Sequence, residues 1–392
     1  MAEPTTPGPL AGITVVDLSR ALAGPYGSMM LADAGADVIK VERPDGGDDS
    51  RGWGPPFVGE GDERESGYFL AVNRSKRSVT LDLKDEGDVQ RLRDLIADAD
   101  VLVENFRPGV MERLGLAPDQ LEALNPRLVV LSITGFGEGG PDGHRSGFDQ
   151  ILQGEAGLMG ITGPIGGPPI RSGVPITDIL AGMFGAFGVA AALREREVTG
   201  KGQRITTSLL AAGIAVHAYQ GTRYTIGGEV PQPGGNRHAS IAPYGAFTCA
   251  DGYINITVGS EGLWRRFAPV VALDPDDPRY ATNRDRVVNY DELEAEINAA
   301  LSVDTVDVWM DRLDAAGVPA GRIRTMDQVY AWDQVEYLGL VDRMQHPTAG
   351  EVTVPGAPVR WSRSGRRPPA PPPRLGEHNR EVFGDAAAQG DH

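Results

Sequence analysis

Ile13-Thr-Val-Val-Asp17, a loop opening Ser19-Arg-Ala-Leu-Ala-Gly-Pro25, a helical stretch to about Gly35 and then Asp37-Val-Ile-Lys-Val41 decide the fold. Two short β-branched runs flanking a helix form a parallel βαβ unit, because parallel neighbours need a crossover between them. The alternation continues outward, with strands expected over 78–83, 101–103 and 128–133 and helices over 86–98 and 119–124. This pattern predicts a doubly wound α/β sheet, whose ligands bind where the strands end. The loops after Asp17, Val41, Val103 and Ile133 are therefore expected to meet at one crevice.

Further along, 175–197 reads as a long helix with Gly182, Gly185 and Gly188 on one face, which implies close packing against a neighbour. Residues 205–226 read as a second apolar helix, followed by a Pro/Gly loop at 230–235. The character then changes: 244–249 and 253–258 flank Ala-Asp-Gly as a β-hairpin, and helices are expected over 262–273, 290–301 and 303–316. Residues 366–374 are Pro-rich and extended. The expected division is a large domain over 1–204, a linking helix over 205–228, a small α+β domain over 229–325, and a return segment, 326–392, that completes the large domain.

Composition narrows the function. The 392 residues are 41% hydrophobic and 23% charged, with a net charge of -17. That balance argues against nucleic acid or an anionic membrane as the main partner, since both demand a basic surface. The Pro- and Thr-rich start lacks a basic, apolar leader pattern, and no run of about 18 uninterrupted apolar residues follows, so a soluble, cytoplasmic protein is expected. The single cysteine, Cys249, excludes an internal disulfide, and the six histidines show no metal-ligand spacing. Cys249 reads as a packing residue. A nicotinamide site is disfavoured too: the first turn has no GxGxxG, and Pro25 removes an N–H that a pyrophosphate would use. No P-loop and no GxSxG elbow occurs.

Seven segments, in order, then carry a resemblance: Asp17-Leu-Ser-Arg-Ala-Leu-Ala-Gly-Pro25, Gly35-Ala-Asp-Val-Ile-Lys-Val-Glu-Arg-Pro44, Asn73-Arg-Ser-Lys-Arg77, Glu104-Asn-Phe-Arg-Pro-Gly109, Leu124-Asn-Pro-Arg127, Gly200-Lys-Gly-Gln203 and Gly376-Glu-His378. Together they resemble the class III (formyl-CoA transferase-like) CoA-transferases and the related α-methylacyl-CoA racemases. The resemblance implies a Rossmann-like large domain whose parallel sheet is built from both chain ends, a smaller α+β domain, and an interlocked homodimer. It also implies coenzyme A contacts at Arg20, Ala23, Arg43, Asn73, Lys76, Asn105, Phe106 and Arg113, with Arg145 a further candidate. Such a cluster of cations suits a ligand carrying a 3'-phosphate and a pyrophosphate. Arg20 and Leu22 stand where formyl-CoA transferase has His and Gln, which leaves the donor acyl group open.

The same resemblance makes Asp178, in Gly173-Val-Pro-Ile-Thr-Asp178, the catalytic carboxylate. At a helix start it is expected to stay ionised. Racemases pair this Asp with a His, and the corresponding position in Gly139-Gly-Pro-Asp-Gly-His-Arg-Ser-Gly-Phe-Asp149 is Phe148, which carries no proton. His144, four residues earlier, is the only nearby substitute, so racemisation ranks second. The implied chemistry is nucleophilic: aspartyl anhydride, then aspartyl-CoA thioester, with the CoA thioester as substrate and no metal or redox cofactor needed. Small dicarboxylates are the acids the resemblance suggests, with aromatic and carnitine-like acceptors left open. Gly234 and Gly235, in Gln232-Pro-Gly-Gly-Asn236, are expected to form a cover that keeps water from the anhydride, while Asp149 and His238 orient backbone. A hydrolase and a non-catalytic CoA-binding protein are the competing classes.

Overall fold

The computed structural model describes residues 8–61, 64–366 and 368–384. Six parallel strands form its main sheet: β1 (Thr14–Asp17), β2 (Asp37–Glu42), β3 (Lys76–Thr80), β4 (Val101–Glu104), β5 (Val129–Thr134) and β6 (Arg204–Ser208). Their order is β3-β2-β1-β4-β5-β6. The central strands are near-continuous Val/Ile/Leu runs because helices cover both faces. On one face Val15, Val103 and Leu131 pack with Leu31, Ala181 and Val189. On the other, Val16, Leu102 and Val130 pack with Leu92, Ile96 and Leu121. These layers come from α1 (Ala23–Asp33), α2 (Glu86–Asp98), α3 (Asp149–Glu155) and α4 (Ile176–Thr199), with shorter helices between them. The order reverses at β1, whose neighbours β2 and β4 are wound in opposite directions, so the crevice opens at the carboxyl ends of β1 and β4.

Two expectations are corrected here. The sheet is not fed from both chain ends: all six of its strands come from 14–208. The return segment supplies instead an antiparallel pair, Val341–His346 with Gly350–Pro355, and a short helix, Asn379–Phe383, beside the β3 edge. Contact with that edge is local, through His378 N–H to Ser78 O at 2.9 Å and Thr80 N–H to Asn379 Oδ1 at 2.8 Å. The prolines at 368, 369, 371, 372 and 373 have no N–H for a ladder, so this segment cannot become a strand. The expected helix over 205–226 also differs: its first residues, with β-branched Ile205, Thr206 and Thr207, form β6 against β5, and helix begins only at Leu209, where Ser208 Oγ accepts the Ala211 N–H at 3.0 Å.

The chain divides into two compact units, one containing the chain up to Leu158, Ser172–Ile226 and the chain from Asp333, the other Met159–Arg171 and Gly227–Trp332. The stretch 159–171, expected in the large domain, groups with the second unit, where Gly235 N–H donates to Gly163 O at 2.9 Å. That unit has a three-stranded antiparallel sheet, Tyr244–Thr248, Tyr253–Thr257 and Ala320–Arg322, and helices that bury Trp264, Phe267, Leu293, Ile297 and Trp309. Cys249 is buried in this core.

The α4 helix is long and apolar enough, by length and composition, to cross a membrane. Its glycines instead seat it on neighbours. A Cβ on Gly182 would lie 2.5 Å from Ala23 O, one on Gly185 2.8 Å from Leu131, and one on Gly188 3.0 Å from Ile205. Met183, Phe184 and Phe187 point away from this packed face and are exposed, Phe187 at 75%.

Candidate active site

The first turn of α4 is held from outside the helix. Asp149, the first residue of α3, is buried; its Oδ1 accepts the Thr177 backbone N–H at 2.9 Å and the Thr177 hydroxyl at 2.8 Å. Its Oδ2 accepts from Gln153 Nε2 at 2.7 Å, and Gln153 Oε1 accepts the Ser172 N–H at 2.8 Å. A carboxylate borrowed from a second helix thus caps α4, whose own N-cap position is Pro175 and offers no side-chain oxygen. Asp149 orients backbone, as the sequence suggested.

Asp178 follows immediately and is half-buried, with no hydrogen bond or ion pair to its carboxyl among the described residues. Burial, and secondarily the charge of Asp149, push its pKa up to about 7. The expectation of a carboxylate kept ionised by the helix dipole is therefore corrected. A dipole contribution of about 0.3–1 kcal/mol is less than one pKa unit, about 1.4 kcal/mol, and loses to desolvation. The result is a carboxyl group that ionises near neutral pH and has both oxygens uncommitted, which suits a nucleophile.

A cavity of about 510 Å³ opens at the carboxyl ends of the strands, lined among others by Leu18, Arg20, Arg43, Pro44, Lys84 and Phe106. The Arg20 guanidinium lies 5.5 Å from the Phe106 ring centroid. Behind them Asn105 accepts the Arg20 N–H at 2.9 Å and donates to Arg20 O at 2.8 Å, joining the loops after β1 and β4. Arg43 is exposed and pairs with Asp49 at 2.7 Å. Ala23 is buried at the start of α1 against Gly182, one turn beyond Asp178 on α4. Ile179 packs against the cluster of Leu22, Met29 and Val72, so the loop after β1 runs from the cavity wall to the helix that carries Asp178.

Other expected contacts fall elsewhere. Asn73 and Lys76 are buried, and the Lys76 ammonium is fully used: 3.0 Å from Asp17 Oδ2, 2.9 Å from Pro25 O and 2.9 Å from Asn73 Oδ1. A buried ammonium must spend its donors inside, so these side chains brace the crevice rather than line it. Arg113 is exposed and lines neither this cavity nor a neighbouring one of about 390 Å³ that contains Phe106, Arg107 and His144. Arg145 stacks 4.1 Å from the Phe136 centroid and is paired with Glu155 and Asp142. Phe148 is 61% exposed. Gly234 and Gly235 belong to the second unit. Sequence reasoning missed Lys84, although Leu81-Asp-Leu-Lys84 directly follows β3 at the same sheet edge.

Comparison with known proteins agrees with this geometry. The profile described as CoA-transferase family III matches residues 10–379. Succinyl-CoA:glutarate CoA-transferase of Mus musculus is 41% identical, the alignment covering 96% of this chain and 86% of the mouse protein. Succinate--glutarate CoA-transferase of Agrobacterium fabrum is 39% identical over 97% of this chain and 96% of its own length. Among solved structures, a CaiB/BaiF family protein from Brucella suis superposes with a TM-score of 0.88 at 38% identity, covering 96% of this chain and 99% of that one. With the parallel sheet, the cation-bearing crevice and the uncommitted aspartate already in place, the chain belongs to CoA-transferase family III and is a CoA-transferase.

Proposed function

We propose that Asp178 is the nucleophile of this transferase and that its substrates are CoA thioesters of small dicarboxylic acids. The observation that carries this reading is the Asp178 carboxyl itself: uncommitted, capped into place by Asp149 and ionising near neutral pH. The carboxylate attacks the donor thioester carbonyl, the C–S bond breaks, and CoA thiolate leaves a mixed anhydride. The thiolate attacks the aspartyl carbonyl and releases the donor acid, forming an aspartyl-CoA thioester. The acceptor carboxylate opens that thioester to a second anhydride, and the thiolate takes the new acyl group, restoring the Asp178 carboxylate. Arg20 and Arg43 supply cations for the CoA phosphates at the strand ends. The dicarboxylate assignment leans on relatives whose names specify succinate and glutarate.

Intact mass of the protein mixed with succinyl-CoA and quenched with hydroxylamine tests the mechanism. The expected result is an aspartyl hydroxamate in the wild type, absent from Asp178→Ala. An unmodified wild type that instead exchanges solvent deuterium into the α-carbon of a branched acyl-CoA would overturn it in favour of racemase chemistry.

The working form proposed here is a homodimer. Met183, Phe184 and Phe187 on α4, Ile151 on α3 and Ile214 on the helix that follows β6 are exposed apolar side chains that a monomer would leave in water. Light scattering is expected to give twice the mass of one chain, and Phe187→Glu to shift it toward one.

A further inference from the structure

We infer that the buried Lys40–Asp48 ion pair is the positioning device of the loop that seats the acyl-CoA, an inference that rests on the proposed CoA site. Lys40 interrupts the apolar Val-Ile-Lys-Val run of β2, and its side chain is 0% exposed, as is that of Asp48, 2.8 Å away. A buried pair of this kind costs desolvation that its own attraction repays only with further hydrogen bonds, so the extra bonds show what it is for. Two of the four go to the loop after β1, which bounds the cavity, and the other two hold Ser50 just beyond the 43–47 stretch. Lys40 Nζ donates to Ser19 O at 2.9 Å. Asp48 Oδ1 accepts the Ala21 N–H at 3.1 Å and both the N–H and hydroxyl of Ser50 at 2.9 Å.

Between those anchors the loop is strained. Ala21 has φ of 65°, a conformation that side chains other than glycine rarely adopt. That turn aims Arg20 at the cavity on one side and sets Leu22 in the cluster that receives Ile179, the neighbour of Asp178, on the other. Asp48 itself ends the second rim: its backbone N–H, which a side-chain change leaves in place, donates to Glu42 Oε2 at 3.0 Å, and the 43–47 stretch between them carries the cavity residues Arg43, Pro44 and Asp45, so the Asp48 carboxylate ties this rim to the loop after β1. One ion pair therefore sets the spacing between two walls of the cavity and between the cavity and the nucleophile. Neither member of the pair lines the cavity.

Calorimetric titration of the full chain with CoA, beside steady-state kinetics, tests this. Asp48→Ala is expected to weaken CoA about tenfold and raise the KM for the acyl-CoA in step, leaving the KM for the acceptor acid within about twofold. Asp48→Asn keeps an oxygen for the Ala21 N–H, so it is expected to weaken CoA less than Asp48→Ala although both variants lose the ion pair and melt earlier. Ala21→Pro leaves the pair intact but removes the N–H and forbids the positive φ, and is expected to match Asp48→Ala in CoA affinity. Arg20→Ala is the control for the site. Wild-type affinity in both Asp48→Ala and Ala21→Pro, with Arg20→Ala weakened, would overturn the inference alone. Equal CoA losses in the two Asp48 variants that track their melting temperatures, with Ala21→Pro unaffected, would reduce the pair to a structural one and overturn it too. CoA binding that ignores Arg20→Ala would refute the proposed site itself.

Discussion

Asp178→Asn is expected to reduce CoA transfer by at least about 10⁴-fold, since removing the proposed nucleophile leaves only binding and positioning to accelerate the reaction. The same change is expected to stabilise the protein above neutral pH. The Asp178 carboxyl titrates at about 7 in the folded chain against an ordinary value of 3.8, because burial and Asp149 oppose its charge. With the folded value raised, the wild type is favoured while the group stays protonated and loses stability as pH rises from about 4 through about 7. Asn carries no charge and escapes that loss. Melting curves should show Asp178→Asn above wild type at pH 8 and the two converging near pH 4; coincident curves at pH 8 would mean the carboxyl is not opposed by its site. A stable, folded and inactive variant separates nucleophile from scaffold, as loss of fold could not.

Asp149→Asn is the second large effect. Asp149 Oδ1 caps α4 through the Thr177 N–H and hydroxyl, and its Oδ2 accepts from the amide of Gln153. An Asn amide can replace only one of those acceptors, so the Gln153 amide must turn or lose its partner, and Ser172 N–H, which Gln153 holds, is disturbed in turn. Loss of a cap costs about 1 kcal/mol, and misplacing a reacting group by about 1 Å can cost about 10²-fold in rate. An activity loss on the order of 10- to 100-fold is therefore expected. The pH profile distinguishes the two contributions. In the wild type the rising limb of kcat/KM should fall near pH 7, where Asp178 ionises. Removing the Asp149 charge lowers the Asp178 pKa, so the limb should move to lower pH while remaining above 4, because the burial that is the larger cause persists. An unmoved limb would show that Asp149 acts on Asp178 through geometry alone.

The first five strands and the crevice at their carboxyl ends were legible because each rests on short-range pattern, β-branched runs of the right length with helices between them, whereas Asp178 was singled out by the family resemblance and its role as nucleophile is proposed. What was hidden depends on which charges meet in three dimensions. Lys76 looks like any cation in Asn73-Arg-Ser-Lys-Arg77, yet its ammonium is turned inward to Asp17, 59 residues away in sequence. Asp178 looks ionised from its helix position, and only burial beside Asp149 reverses that. The start of β6 was read as helix because its register against β5 is set by a strand some 70 residues earlier, which no local window contains. Two hidden elements did carry a signal: Lys84 directly follows β3 at the cavity's sheet edge, and Lys40, a lysine inside an apolar strand, must find a buried partner.

The Pro-rich return segment has a bearing on biosynthesis. Ser75, next to β3, exchanges backbone and hydroxyl hydrogen bonds with Ala370, 295 residues later. Arg51, which pins Glu42, also donates to Pro373 O at 3.0 Å, and Gly376 N–H donates to Ser78 Oγ at 3.0 Å. At about 5–20 residues per second, a ribosome that has finished Ser75 needs about 15–60 s more to reach Ala370. Throughout that interval the β3 edge of the nascent sheet has no cover and is open to pairing with another emerging chain. Chaperone demand during synthesis should consequently depend on when residues 370–378 emerge, and a chain stopped before them should yield aggregates rather than a smaller working enzyme.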